Sequence, residues 1–108
     1  MTEQEFRTRA DEAIEQLHRA LLRAAEEHDF DADVNAGALS VEFADPPGRF
    51  VVSPQSATSQ IWVSAHSKSY KMDWDAGRGE FVLAGTGQTL KEMLAEAISR
   101  QLGEDVRL

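Results

Sequence analysis

Six strand-like stretches stand between two helical ones, and the links between the strands are too short for a crossover. The stretches are Ala32–Asn35, Ala38–Phe43, Phe50–Ser53, Gln60–Ala65, Tyr70–Trp74 and Glu80–Leu83, bounded by Gly-, Ser-, Asp- and Pro-rich turns. A parallel pair needs a connection of a dozen or more residues, so successive strands must pair antiparallel. Leu39, Val41 and Phe43 alternate with Ser40 and Glu42, so one face of the sheet is apolar and has to be covered. Only the flanking helices can cover it.

The first helix opens with the capping-box pattern Thr2-Glu3-Gln4-Glu5. Phe6, Ala10, Ala13, Ile14, Leu17, Leu21, Ala24 and Ala25 then recur at three- and four-residue spacing, which predicts an amphipathic helix ending near Asp29. Its outer face offers Glu5–Arg9, Glu15–Arg19 and Arg23–Glu27 as i,i+4 pairs. Thr89-Leu90-Lys91-Glu92 opens a second helix, with Leu90, Met93, Leu94, Ala97, Ile98 and Leu102 on one face and Gly103 as its stop. The expected fold is α+β: a two-layer α/β sandwich with two helices on one face of a six-stranded, mainly antiparallel sheet. A length of 108 residues fits one domain, 1–108, with a core of its own.

The chain has no cysteine, which removes thiolate nucleophiles, disulfides and the usual ligands of iron–sulfur clusters and structural zinc. No apolar run approaches the ~20 residues of a membrane span. The N-terminal Met-Thr-Glu-Gln-Glu-Phe lacks the basic and apolar regions of an export signal, so a cytoplasmic location is expected.

The net charge of −8 is uneven, since residues 1–35 hold ten acids against four arginines. That field disfavours nucleic acid and anionic membranes and favours cations or basic protein surfaces. It is densest at Glu26-Glu27-His28-Asp29-Phe30-Asp31-Ala32-Asp33, where five carboxylates in eight residues have no Lys or Arg among them. Solvation alone is the bland explanation of such a run. The alternative is a cation over a shallow carboxylate edge, with Asp31 and Asp33 about 7 Å apart on one side of a strand and Asp29 and Glu26 approaching from the helix end. Such an edge suits weakly held, hydrated divalent ions. It is no EF-hand, because Val34 and Ser40 occupy the positions of the obligatory Gly and Glu.

His28 packs or caps more often than it ligates, and His18 and His66 stand alone in sequence. Gly85-Thr86-Gly87-Gln88 lacks the Lys of a phosphate loop. With no H-E-x-x-H and no paired nucleophile and base, no catalytic machinery is visible and the chain is expected not to be an enzyme. If Ile61 and Val63 face the helices, Trp62 faces outward, either as a binding anchor or as a ring partly covered by neighbours such as Tyr70 or Met72.

Glu5-Phe6, Ala10-Asp11, the Asp31–Leu39 hairpin, Gln60-Ile61-Trp62, the Tyr70–Trp74 strand with Asp73, and the Leu90–Leu102 helix together resemble the frataxin family, in its bacterial CyaY branch. The resemblance spans essentially the whole chain. It implies a monomeric cytoplasmic protein that binds iron, ferrous or ferric, weakly on an acidic ridge, with other divalent cations able to compete. It further implies docking on the cysteine desulfurase, with the cluster scaffold protein as a second contact, and tuning of iron–sulfur cluster assembly. By position, Glu26, Glu27, Asp29, Asp31 and Asp33 fall on the metal ridge. Trp62 and Gln60, with Asp31 and Asp33, fall on the partner surface.

The chain departs from that pattern at His18, Arg19, Leu22, Arg23 and Ala25, where acids are usual, and at Ser53-Pro54 in place of an Asn-Arg pair. These departures move the expected site toward the helix–strand junction. A metal- or heme-responsive sensor or storage protein, using the acid cluster with His28 or His66, is the alternative reading.

Overall fold

The computed structural model describes residues 1–108. The order is α1 (Glu3–Ala24), β1 (Asp31–Asn35), β2 (Ala38–Ala44), β3 (Pro47–Gln55), β4 (Gln60–Ala65), β5 (Lys68–Asp75), β6 (Glu80–Leu83) and α2 (Leu90–Leu102). The six strands form one sheet in sequence order, and every neighbouring pair is antiparallel. Pro47 is tolerated because it is the first residue of β3, where a missing N–H costs the ladder least.

Phe6, Ala10, Ile14, Leu17, Ala20 and Leu21 of α1 and Leu90, Met93, Leu94, Ala97 and Ile98 of α2 are buried. They lie against the alternate strand residues Leu39, Val41, Phe50, Val52, Ile61, Val63, Met72 and Phe81. Phe6 meets the Phe81 ring edge-on at 5.9 Å, which pins the start of α1 over β6. The two-layer sandwich expected from periodicity is the observed fold, and the opposite face of the sheet carries no helix.

Some local expectations fail for identifiable reasons. The first helix stops at Ala24, several residues before Asp29, and tightens into turns in which Glu26 and Glu27 N–H reach back three residues to Arg23 and Ala24 carbonyls. Acids are unfavourable at the negative end of a helix dipole, so Glu26, Glu27 and Asp29 favour that early end. Only half of the first capping box forms: Thr2 Oγ1 accepts from Glu5 N–H at 3.1 Å, with no return bond from the Glu5 carboxylate. Of the three expected ion pairs only Glu15–Arg19 is made, at 2.6 Å. Arg9 turns instead to Glu12, at 3.6 Å, and to the face of Trp74, at 5.5 Å, while Glu27 lies beyond the helical register that would bring it to Arg23.

The second helix forms as expected. Thr89 N–H donates to Glu92 Oε1 at 2.9 Å and Glu92 N–H to Thr89 Oγ1 at 3.2 Å. The Thr89 backbone N–H first, then the Thr89 hydroxyl, with Arg78 adding its charge, hold the Glu92 carboxyl below its ordinary range. Gly103 closes the helix in the left-handed region, φ 70°. The residues after it fold back: Val106 is 2% exposed, and Ser99 Oγ accepts from its N–H at 2.9 Å and donates to its carbonyl at 3.2 Å.

Candidate functional site

The open face of the sheet is built by the same alternation that makes the core. Pairing of Asp31 with Glu42, Glu42 with Arg49, Val51 with Ser64, and Trp62 with Lys71 places all these side chains on the side away from the helices. Asp31, Asp33, Gln60 and Trp62 therefore share one face. At ~4.8 Å per strand, Trp62 lies roughly 16 Å from Asp33 across β3 and β2.

Trp62 is half-buried, and its coverage differs from the expectation. Tyr70 and Met72 point to the core side of β5, Met72 fully buried, because Trp62 is registered with Lys71. Lys71 Nζ sits over the indole at 5.0 Å from its centroid, a contact of about 0.5–1 kcal/mol at an exposed site. The indole Nε1–H donates to Gln60 Oε1 at 3.0 Å, and Gln60 Nε2 donates to Asp73 Oδ1 at 2.9 Å. This chain of contacts holds the ring in one orientation, so a partner that packs on it has less side-chain freedom to freeze. Period-two alternation combined with a turn centred on His66-Ser67 already sets Trp62 opposite Lys71, so Lys71 and Asp73 were findable from sequence.

The acid segment is spread out. Glu26 and Glu27 lie in the turns after α1, Asp29 in the link, and Asp31 and Asp33 on β1, all exposed. None of the five forms an ion pair or a side-chain hydrogen bond within the protein. No three His, Asp or Glu side chains converge into a group able to hold a metal ion. A cation would meet one or two carboxylates at a time and keep most of its water, which fits loose binding of a hydrated ion and does not fit an enclosed metal centre.

His28 is tied elsewhere. Its Nδ1 lies 3.0 Å from Glu104 Oε1, so the tail after α2 closes over the helix–strand junction. His66 occupies the β4–β5 turn at φ 51° and packs edge-on against Phe50 at 5.0 Å. His18 borders a shallow groove of about 210 Å³ between α1 and the β1–β2 turn, with Asp11, Glu15 and Val34. No helix is long and apolar enough to cross a membrane.

Residues 1–104 match the model of the frataxin-like domain. An iron–sulfur cluster assembly protein CyaY from Thioalkalivibrio sulfidiphilus is 30% identical over 108 residues, covering 100% of both chains. The protein of the same name from Azotobacter vinelandii is 31% identical over 97 residues, 88% of this chain and 87% of that one. The solved structure of a frataxin from Psychromonas ingrahamii superposes with a TM-score of 0.78 at 26% identity, covering 99% of this chain and 97% of that one. With a family model matched over residues 1–104, a relative 30% identical over the full chain and a superposable solved structure in agreement, the chain belongs to the frataxin family.

Proposed function

We propose that this protein is a non-catalytic accessory factor of iron–sulfur cluster assembly, which docks on the cysteine desulfurase and carries iron only loosely. The observation that carries the reading is the shared open face, with a Trp62 held in place by Gln60 and Lys71 and with Asp31 and Asp33 on the same side. An aromatic anchor on a face that ends in acids at the β1 edge suits a protein-binding surface: the ring, flanked by Lys71, supplies contact area, and Asp31 and Asp33, beyond the intervening Arg49, supply steering and orientation toward a basic partner. The names of the relatives supply the pathway.

Iron enters as cargo. The exposed carboxylates from Glu26 to Asp33 attract a divalent ion without enclosing it, so affinity is weak, exchange is fast, and Mg²⁺, Ca²⁺ or Mn²⁺ compete. An open edge of this kind lacks the fixed coordination that metal catalysis needs, which favours regulation or iron delivery over turnover. The heme-sensor reading finds less support, since His28 is engaged by Glu104 and His66 by Phe50.

The test is calorimetric titration of the desulfurase with wild type, Trp62→Ala, and the double variant Asp31→Asn, Asp33→Asn, at low and moderate salt. Both variants should bind at least tenfold more weakly, and only the Asp variant should lose most of its salt dependence. Wild-type affinity in both would reject the open face as the docking surface.

A further inference from the structure

The two edges of the sheet are finished differently. At β6 the chain folds back on itself: Val82 bridges to Thr89, Leu83 N–H donates to the Gln88 carbonyl at 2.9 Å, and Gly87 N–H donates to Leu83. At β1 nothing of this kind occurs, and the strand pairs with β2 alone.

The direction of the free backbone groups follows from the hairpin. Ala36 and Gly37, at φ 54° and 82°, form a two-residue turn of the primed type. Asn35 and Ala38 are then the closing hydrogen-bonded pair, and hydrogen-bonded and non-bonded pairs alternate from there. Asn35, Asp33 and Asp31 thus spend their N–H and C=O on β2, while those of Ala32 and Val34 point out of the sheet.

The surroundings of that edge differ on its two sides. Toward the open face stand Asp31 and Asp33. Toward the helices, Val34 is 38% exposed and Leu22 48% exposed. Leu22 continues the Asp11, Glu15, His18 stripe of α1 that borders the 210 Å³ groove beside Val34. Edge strands usually carry charge to discourage pairing, and here the charge has one sign. A second copy laid against β1 would set Asp31 and Asp33 beside their own counterparts, which like-charge repulsion opposes. A segment bearing Lys or Arg on that side meets no such penalty.

We propose that the β1 edge is a strand-addition site for an extended basic segment of a protein partner, its residues alternating cationic and aliphatic. The cationic side chains lie beside Asp31 and Asp33, and the aliphatic ones cover Val34 and Leu22. The proposal rests on the reading of the acidic end of the molecule as a docking region, and adds to it a backbone register. In an antiparallel addition, residues directly opposite share a face, so the aliphatic residues of the segment exchange hydrogen bonds with Ala32 and Val34.

The probe is the peptide acetyl-Lys-Val-Lys-Val-Lys-Val-Lys-amide, compared with the same peptide N-methylated at its valines, which keeps the charge and removes the bonding N–H groups. Titration at low salt should show the N-methylated peptide binding at least tenfold more weakly. The unmodified peptide should slow amide exchange at Ala32 and Val34 and at no residue of β6. Equal affinity of the two peptides without that protection would overturn the strand addition and leave the acidic docking region standing as a purely electrostatic surface. No binding of either peptide would overturn both.

Discussion

Replacing Val106 by Ala tests whether the segment after α2 is part of the core or merely rests on it. Val106 is 2% exposed, while its neighbour Arg107 is exposed and forms only a local ion pair with Asp105, at 3.1 Å. Deleting two buried methyl groups at ~0.8 kcal/mol each costs about 1.6 kcal/mol. A residual cavity of roughly 20 Å³, at ~24 cal/mol per Å³, adds about 0.5 kcal/mol. The backbone bonds of residue 106 to Ser99 survive the change, so the total is about 2 kcal/mol and a Tm lower by roughly 8–10 °C. Urea unfolding followed by far-UV circular dichroism measures it, with Arg107→Ala as the control expected to stay within about 0.5 kcal/mol of wild type. If the two variants unfold at the same urea midpoint, the packing assigned to the tail is wrong. The consequence reaches the site, because the tail also carries Glu104 onto His28 at the junction that bears Glu26, Glu27 and Asp29.

Gln60→Ala removes the acceptor of the Trp62 indole N–H and should cost about 1 kcal/mol or less, since water can replace it. Its signature is faster solvent exchange of that indole proton in NMR spectra, with the Trp74 indole unchanged. Ser67, at φ 62°, takes a left-handed turn position that costs a side-chain-bearing residue about 1 kcal/mol, so Ser67→Gly should raise stability by roughly 0.5–1 kcal/mol in thermal unfolding. Because the Glu92 carboxyl is held below its ordinary value by Thr89, its contribution is present above the unfolded-state value and is lost as pH falls through the lower folded-state value. Glu92→Gln should therefore show a shallower loss of stability below about pH 4.5 than wild type in acid titration of the folded fraction.

Much of the fold was legible because its signals are local. Alternation in Leu39–Phe43 and Gln60–Ala65, the Thr89–Glu92 box and the Gly103 stop each act over a few residues, and short links left antiparallel pairing as the only option. Periodicity and propensity carry α1 past Ala24, because Ala24 and Ala25 are good helix formers and acids against the dipole leave only a small electrostatic signal per residue. Parity sends Trp62 to the open face, and the same parity in β5 sets Lys71 beside it and turns Tyr70 and Met72 toward the core. The contact of Glu104 with His28, separated by 76 residues, has no local signature at all. Nor did the run of acids reveal that its members would be strung along turn, link and strand without converging.

The proposed docking function rests on one surface, the open sheet face from Trp62 to the β1 edge. Amide hydrogen exchange of the protein free and bound to the cysteine desulfurase measures it directly. Exchange should slow in Ala32–Asn35 and Gln60–Ser64, with the exposed sides of α1 before Asp11 and of α2 unchanged. Slowed exchange confined to the two helices, with β1 and β4 unaffected, would contradict it.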